Sequence, residues 1–312
     1  MFFPKNLWNP ENLHVYVTGG STGLGLSIAV IMAKKGAHVS IVARNKVRLD
    51  QALQTLEEVR NSPSQKFNTY SYSLTSCEES EKAFRDVCAA HDGRAPDAVF
   101  NCAGSAKPKF FIELTKEELE EGLANSYWIE TWTAWIAAKE MVRQGIKGKI
   151  IFIASTLAYM SFVGWANYAP GRHALRGLTD TLESEFRLYD IGVHTFFPPN
   201  MMTASFVEEN KTKPYITKKI EGEDISMTSE QAAAILLKGI EKGQAHITGD
   251  WITTSFRAST RGATHSNNFI VDSLWNFFAM IAIPVWRRSV DSQIENHKKE
   301  HREYLKSIHF LP

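Results

Sequence analysis

The sequence predicts a doubly wound α/β fold, an open parallel sheet of about seven strands with helices on both faces. Three observations carry that reading. Short β-branched, apolar runs alternate with helix-length patterns, which is the rhythm of βαβ units. Several of the runs are almost continuously apolar, as strands covered on both faces must be. A glycine-rich segment stands between the first run and the first helical pattern, where such sheets place their ligands.

In chain order, strands are expected at 14–18, 38–43, 67–72, 98–102, 149–153, 193–197 and 245–248. Helices are expected over 25–35, 45–60, 78–91 and 114–143. Pro170 is tolerable only in a first helical turn, so Tyr168 should stand near a helix start. Thr228 followed by Gln231 reads as a capping box. Residues 205–224 are charged and without clear periodicity, so they read as a long loop that could serve as a lid.

A chain of 312 residues can bury one large core, and 44% hydrophobic with 22% charged residues is an ordinary globular composition. The net charge of +1, with basic residues spread along the chain, offers no field for nucleic acid. Cys77, Cys88 and Cys102 are odd in number and lack metal-ligand spacing, which suits a reducing compartment. Residues 1–14 contain no apolar run, so a cleaved leader is not expected.

A polar stretch at 259–268 divides an expected catalytic domain, 1–258, from an expected membrane-associating segment, 259–312. The tail begins FIVDSLWNFFAMIAIPVW and continues with Arg287 and Arg288. Only 274–286 is mostly apolar, interrupted by Asn276 and Pro284, whereas a spanning helix needs ~20 apolar residues. A helix lying in a membrane surface fits better. A core or dimer-interface helix would have the same composition.

After the first strand come Thr18, Gly19, Gly20, Ser21, Thr22, Gly23, Leu24 and Gly25. Glycines there let the backbone turn and approach a pyrophosphate, and the following helix offers free N–H groups and a positive dipole end. In this strand–turn–helix setting the motif specifies a Rossmann-type dinucleotide site. NAD sites usually end the second strand in an acid that bonds the ribose. Here Ala43 and Arg44 stand at that point, with Lys46 and Arg48 following. A guanidinium can grip a 2′-phosphate, so NADPH is the expected cofactor.

Two further motifs complete a pattern. Asn101, Cys102, Ala103 and Gly104 follow the fourth strand, and Ser155 follows the fifth, with Tyr168 thirteen residues on. The arrangement resembles the short-chain dehydrogenase/reductase family from residue 12 to about 250. That resemblance implies a tyrosine acid at Tyr168, a serine at Ser155 holding the substrate oxygen, and an asparagine at Asn125 ordering a proton-relay water. It also implies cofactor contacts from Leu74, Asn101, Ala103, Gly104, Tyr168, Pro198, Asn200 and Thr203. The family's lysine four residues after the tyrosine is Arg172 here. Such a cation is needed because a phenol with pKa ≈ 10 is a reluctant acid-base at neutral pH. Arginine keeps the charge but has a longer, planar fork. Weakened turnover is therefore expected, with Arg172→Lys raising kcat.

Residues 103–111, 162–170 and 212–222 resemble one branch of that family, the fungal 3-ketodihydrosphingosine reductases. The likeness implies NADPH-dependent reduction of 3-ketosphinganine at the cytosolic face of the endoplasmic reticulum membrane. Phe162, Trp165, Met201, Met202 and Phe206 would then flank the nicotinamide and line a path for a long acyl chain, although core positions have the same composition. A reductase of another lipid ketone (steroid, retinal or fatty-acyl) shares all these features. A non-catalytic NADPH-binding membrane protein shares most of them. Helices over 115–144 and 167–188 would form a homodimer or tetramer by the same resemblance.

Overall fold

The computed structural model describes residues 8–222 and 227–311. Seven strands form one parallel sheet: β1 (His14–Thr18), β2 (His38–Ala43), β3 (Phe67–Ser71), β4 (Ala98–Asn101), β5 (Lys149–Ile153), β6 (Gly192–Phe197) and β7 (His246–Thr248). Their spatial order is β3-β2-β1-β4-β5-β6-β7. The chain leaves β1 toward β2 on one side and returns to β4 on the other, so a crevice opens beyond the carboxyl ends of β1 and β4. Every strand lies within one residue of the expected position.

Side-chain alternation divides the interior into two cores. Val15, Val17, Ile41 and Phe100 face α1 (Gly23–Lys34) and α2 (Lys46–Glu58), and the same layer holds Leu236 of a later helix. Tyr16, Val99, Ile150 and Phe152 face the opposite layer, with Phe84 of α3 (Cys77–Ala89). Both faces are dry, which explains strands without a polar alternation.

The long helix expected at 114–143 is interrupted. It runs as α4 (Lys116–Leu123), a π-turn at Ala124–Trp128, and α5 (Ile129–Gln144). One wide turn inserts an extra residue and re-aims the side chains within it, Asn125 among them. Thr115 and Glu118 close a capping box at its start, and Gly145 in the left-handed conformation ends it. Next comes α6 (Ala169–Glu185), with Tyr168 as its N-cap and Pro170 in the first turn, as expected.

Residues 205–222 are not a loop. They form α7 (Ala204–Thr212) and α8 (Tyr215–Glu221); Asp224, the end of the expected loop, lies outside the described residues. Thr203 starts α7 by accepting from the Phe206 N–H at 3.1 Å. The charges that masked the helical pattern are paired inside the structure. Buried Lys213 bridges Glu209 at 2.8 Å and Glu221 at 2.6 Å. After α9 (Ser229–Glu241), whose capping box is Thr228 with Gln231, the chain forms α10 (Trp251–Thr260) and α11 (Phe269–Ser307).

The last helix, α11, has 39 residues, a length of ~58 Å at 1.5 Å per residue. By length and composition it could cross a membrane. One side of it is tied to the domain. Asp272 and Arg257 form a buried ion pair, Ser266 and the Asn267 N–H also donate to Asp272, and Trp286 meets Phe256 at 5.3 Å. The opposite stripe, Ile270, Leu274, Phe277, Ile281 and Val285, faces outward and is exposed. Farther along, His301 and Tyr304 pack on Phe110, and His297 on Tyr215.

Candidate active site

The glycine segment meets the geometry of a phosphate cradle. Gly19 has φ +63°, and a Cβ there would lie 2.9 Å from the Ala103 backbone. A Cβ on Gly25 would lie 2.5 Å from the Gly19 carbonyl oxygen. Three backbone segments therefore converge where only glycine allows it. Thr22 is the N-cap of α1 and Ser21 sits half-buried before it, so the helix start points into the crevice. Leu24 is buried beneath that start and can offer a ligand only its backbone. Thr18 Oγ1 accepts from the N–H groups of Cys102 (3.0 Å) and Ala103 (3.1 Å), locking the second segment to the first. Such a close, positively poled concavity fits a dinucleotide pyrophosphate.

Arg44 and Arg48 are exposed at the end of β2 and the start of α2. Ser71 Oγ donates to the Arg44 carbonyl at 3.0 Å and fixes the backbone from which that side chain leaves. Leu74 is buried in the core. Asn101 is buried too, and its amide donates to the Ile151 carbonyl at 3.1 Å, bracing β4 against β5. At the far end of the crevice, Thr203 Cγ2 would stand 3.2 Å from a Cβ on Gly23. Pro198 accepts from Thr156 Oγ1 at 3.3 Å, and the Asn200 carbonyl accepts from Met227 N–H at 3.2 Å, shaping the turn that delivers Thr203.

Tyr168, Arg172, Asn125 and Gly104 are brought together. Arg172 lies one helical turn beyond Tyr168, with its Cζ 4.9 Å from the phenol ring centre. A Cβ on Gly104 would lie 3.0 Å from Arg172 Nη2 and 3.1 Å from the Asn125 carbonyl oxygen, so the three positions crowd one point. Asn125 and Tyr168 line the same small cleft. Ser155 begins a 3₁₀ turn at the end of β5, where its hydroxyl accepts from the Leu157 N–H at 3.2 Å. It stands two residues beyond Ile153, whose carbonyl accepts from Arg172.

Burial pushes the Tyr168 phenol up from its ordinary pKa, and the Arg172 guanidinium pulls it back. Arg172 itself is held charged by Tyr168 and Glu130, which outweigh the cost of burying it. Glu130 was not legible in the sequence as a site residue, and neither was Lys213. The available signal for Glu130 was a lone carboxylate on the inward face of α5, which otherwise carries Thr133, Ala134 and Ala137.

The expected substrate wall is partly assembled. Trp165, 4% exposed, packs tilted against Tyr168 with ring centres 5.6 Å apart, and its Nε1 donates to Glu221 at 3.1 Å. Phe162 joins the same small cluster with Leu157 and Ala169. Lys213 Nζ lies 5.2 Å from the Trp165 ring and 5.1 Å from that of Phe206. Met201 packs on the sheet core, whereas Met202 is 63% exposed.

Residues 13–214 match the family model described as short chain dehydrogenase. The chain belongs to the short-chain dehydrogenase/reductase family. This family member is therefore an oxidoreductase. It is 39% identical to a 3-ketodihydrosphingosine reductase of Cryptococcus neoformans var. neoformans serotype D, over 98% of this chain and 91% of that one. A 3-ketodihydrosphingosine reductase of Aspergillus fumigatus is 32% identical, over 89% of this chain and 83% of its own. Among solved structures, a short-chain dehydrogenase from Sphingobium yanoikuyae in complex with NADPH shares the fold with a TM-score of 0.65 at 22% identity, covering 76% of this chain and 87% of its own. Another, from Burkholderia phymatum in complex with NAD, has a TM-score of 0.70 at 15% identity, covering 81% and 95%.

Proposed function

We propose that this reductase converts 3-ketodihydrosphingosine to dihydrosphingosine with NADPH, at the cytosolic face of the endoplasmic reticulum membrane. The observation that carries the proposal is the convergence of Tyr168, Arg172 and Asn125 beside a glycine cradle, in a chain whose full-length relatives carry that substrate in their names. Bound in the cradle, the nicotinamide supplies the hydride that reduces the ketone carbon. Tyr168 donates the proton to the carbonyl oxygen. Ser155 holds that oxygen by a hydrogen bond, and Arg172 favours the phenolate that forms. Asn125 orders the water that returns the proton. Arg44, with Arg48 behind it, selects NADPH by pairing with the 2′-phosphate. Leu74, Asn101, Ala103, Gly104, Pro198, Asn200 and Thr203 complete the nucleotide contacts. Phe162, Trp165, Met201, Met202 and Phe206 guide the acyl chain.

The outward stripe of α11 supports the membrane reading. Five large apolar side chains stand exposed on one side while the other side is pinned to α10, which suits a helix lying in the interface better than one crossing it. The later part of the same helix rests on Phe110 and Tyr215, near the Trp165 side of the site, so a lipid substrate would enter from the face that meets the bilayer. A second copy of the chain would cover the groove of ≈ 520 Å³ between α5 and α6, lined by Trp132, Trp135, Leu178 and Leu182. The test is NADPH oxidation by the purified chain with 3-ketodihydrosphingosine in detergent. Turnover that prefers NADPH to NADH and falls ~10³-fold in Tyr168→Phe is expected. Turnover with steroid ketones or with retinal alone would replace the substrate.

A further inference from the structure

Arginine at the family's lysine position comes with a partner. Glu130, 1% exposed, lies on the first turn of α5, directly after the π-turn that carries Asn125. Its Oε1 accepts from Arg172 Nη1 at 2.5 Å and its Oε2 from the Ile153 N–H at 3.1 Å. Arg172 Nη1 also donates to the Ile153 carbonyl at 3.1 Å. The guanidinium is thereby divided. One arm is clamped to α5 and β5, while Nη2 is left beside Gly104 and the Asn125 carbonyl, with the Tyr168 ring below. A lysine ammonium is a point charge and cannot serve both ends. Facing a buried carboxylate, it would be drawn to Glu130 and away from the phenol. Burial pushes Glu130 up to about 7 even with Arg172 pulling it down, so its charge depends on the partner.

Resting on the reductase reading above, we propose that Glu130 is the positioning residue that lets arginine act at position 172, by holding its fork so that Nη2 serves the nicotinamide end of the site. The expectation that Arg172→Lys raises kcat is thereby reversed. The alternative is that the pair merely fills the interior. The two differ in what a second substitution does.

The test uses the full chain as wild type, Glu130→Gln, Arg172→Lys and the double variant. Measured are kcat, KM for ketone and NADPH, NADPH affinity by fluorescence, and melting temperature without cofactor. Each single variant is expected to lose about tenfold or more in kcat, with KM for the ketone changed less than about threefold. The double variant should recover most of the loss, because a neutral amide no longer captures the ammonium, and should couple the two sites by at least about fivefold. The proposal is overturned if Arg172→Lys alone gains activity, or if the double variant loses the product of the two single losses while folded. If Glu130→Gln does not fold, Arg172→Lys still decides by its sign. If wild type binds NADPH but turns over no ketone, the reductase reading fails by itself. Coupling in NADPH affinity then decides for Glu130, and strictly additive losses sink it.

Discussion

The two halves of the sheet carry their chemistry differently. From β1 to β4, the binding geometry is made by backbone: glycines that pack against one another, a helix start, and the Thr18 hydroxyl stitching two segments. From α5 onward the elements are held together by side-chain charges buried in pairs: Arg172 with Glu130, Lys213 with Glu209 and Glu221, and Arg257 with Asp272. Backbone cradles fail when a Cβ is added. Buried ion pairs fail when one partner is removed, since the other is left uncompensated. Within one layer architecture, then, the same loss of function has two physical origins.

The sharpest way to break the first half is Gly25→Val. Its Cβ would meet the Gly19 carbonyl oxygen at 2.5 Å, a backbone atom that cannot swing aside. NADPH affinity should fall at least ~100-fold, with a stability cost of about 2–4 kcal/mol. Gly177, where an added Cβ meets nothing within 4 Å, is the control: Gly177→Ala should bind NADPH normally and melt slightly higher. Equal losses in the two variants, read by fluorescence titration, would remove the contrast between a cradle and a plain helix.

In the second half, the outward stripe of α11 can be separated from the fold. Leu274 is 66% and Phe277 63% exposed, so charges there leave the domain's packing intact. The double variant Leu274→Glu, Phe277→Glu should lose ~10²–10⁴-fold in binding to liposomes of mixed anionic composition, as expected for removing two side chains worth ~1.5–3 kcal/mol each. Activity on a detergent-dispersed ketone should stay within about twofold, since neither residue is part of the site. Undiminished sedimentation with vesicles would show that this face meets protein instead.

The division between backbone and charge also explains what the sequence disclosed. Strand positions, the glycine cradle, the Tyr168 helix start and the Thr228 cap were legible because each depends on neighbours within a few residues. The π-turn at Ala124–Trp128 was not, since nothing in ANSYW differs from ordinary helical residues and only packing against α6 asks for the extra residue. The helices α7 and α8 were hidden for a related reason. Their charges look solvated until Lys213 is seen buried between two carboxylates. Arg172 was read as a lone departure because Glu130, 42 residues away, meets it only across the fold.

Acid offers a last and smaller test of the same contrast. His14, stacked on His91 at 3.5 Å, is held far below its ordinary pKa by burial and by the His91 charge. His91 is lowered to about 4, and His194 in β6 to about 4, both chiefly by burial. The unfolded chain takes up protons near 6.5 that these folded rings refuse, so stability falls as pH drops from about 6.5 toward 4, by on the order of 1–3 kcal/mol for each fully buried ring. Glu130 works the other way. Its folded pKa of about 7 lies above its ordinary 4.5, so the folded state gains protons, and therefore stability, over that same range. The β1 side carries three depressed histidines, His14, His91 and, on neighbouring β2, His38, without such an offset, while on the β5–β6 side Glu130 opposes His194. Hydrogen exchange between pH 6.5 and 5 should accordingly lose protection sooner in β1 and the end of α3 than in β5. Glu130→Gln should steepen the loss in β5. Equal loss across the sheet in wild type would mean that the protein opens as one unit and that the two halves share a single stability.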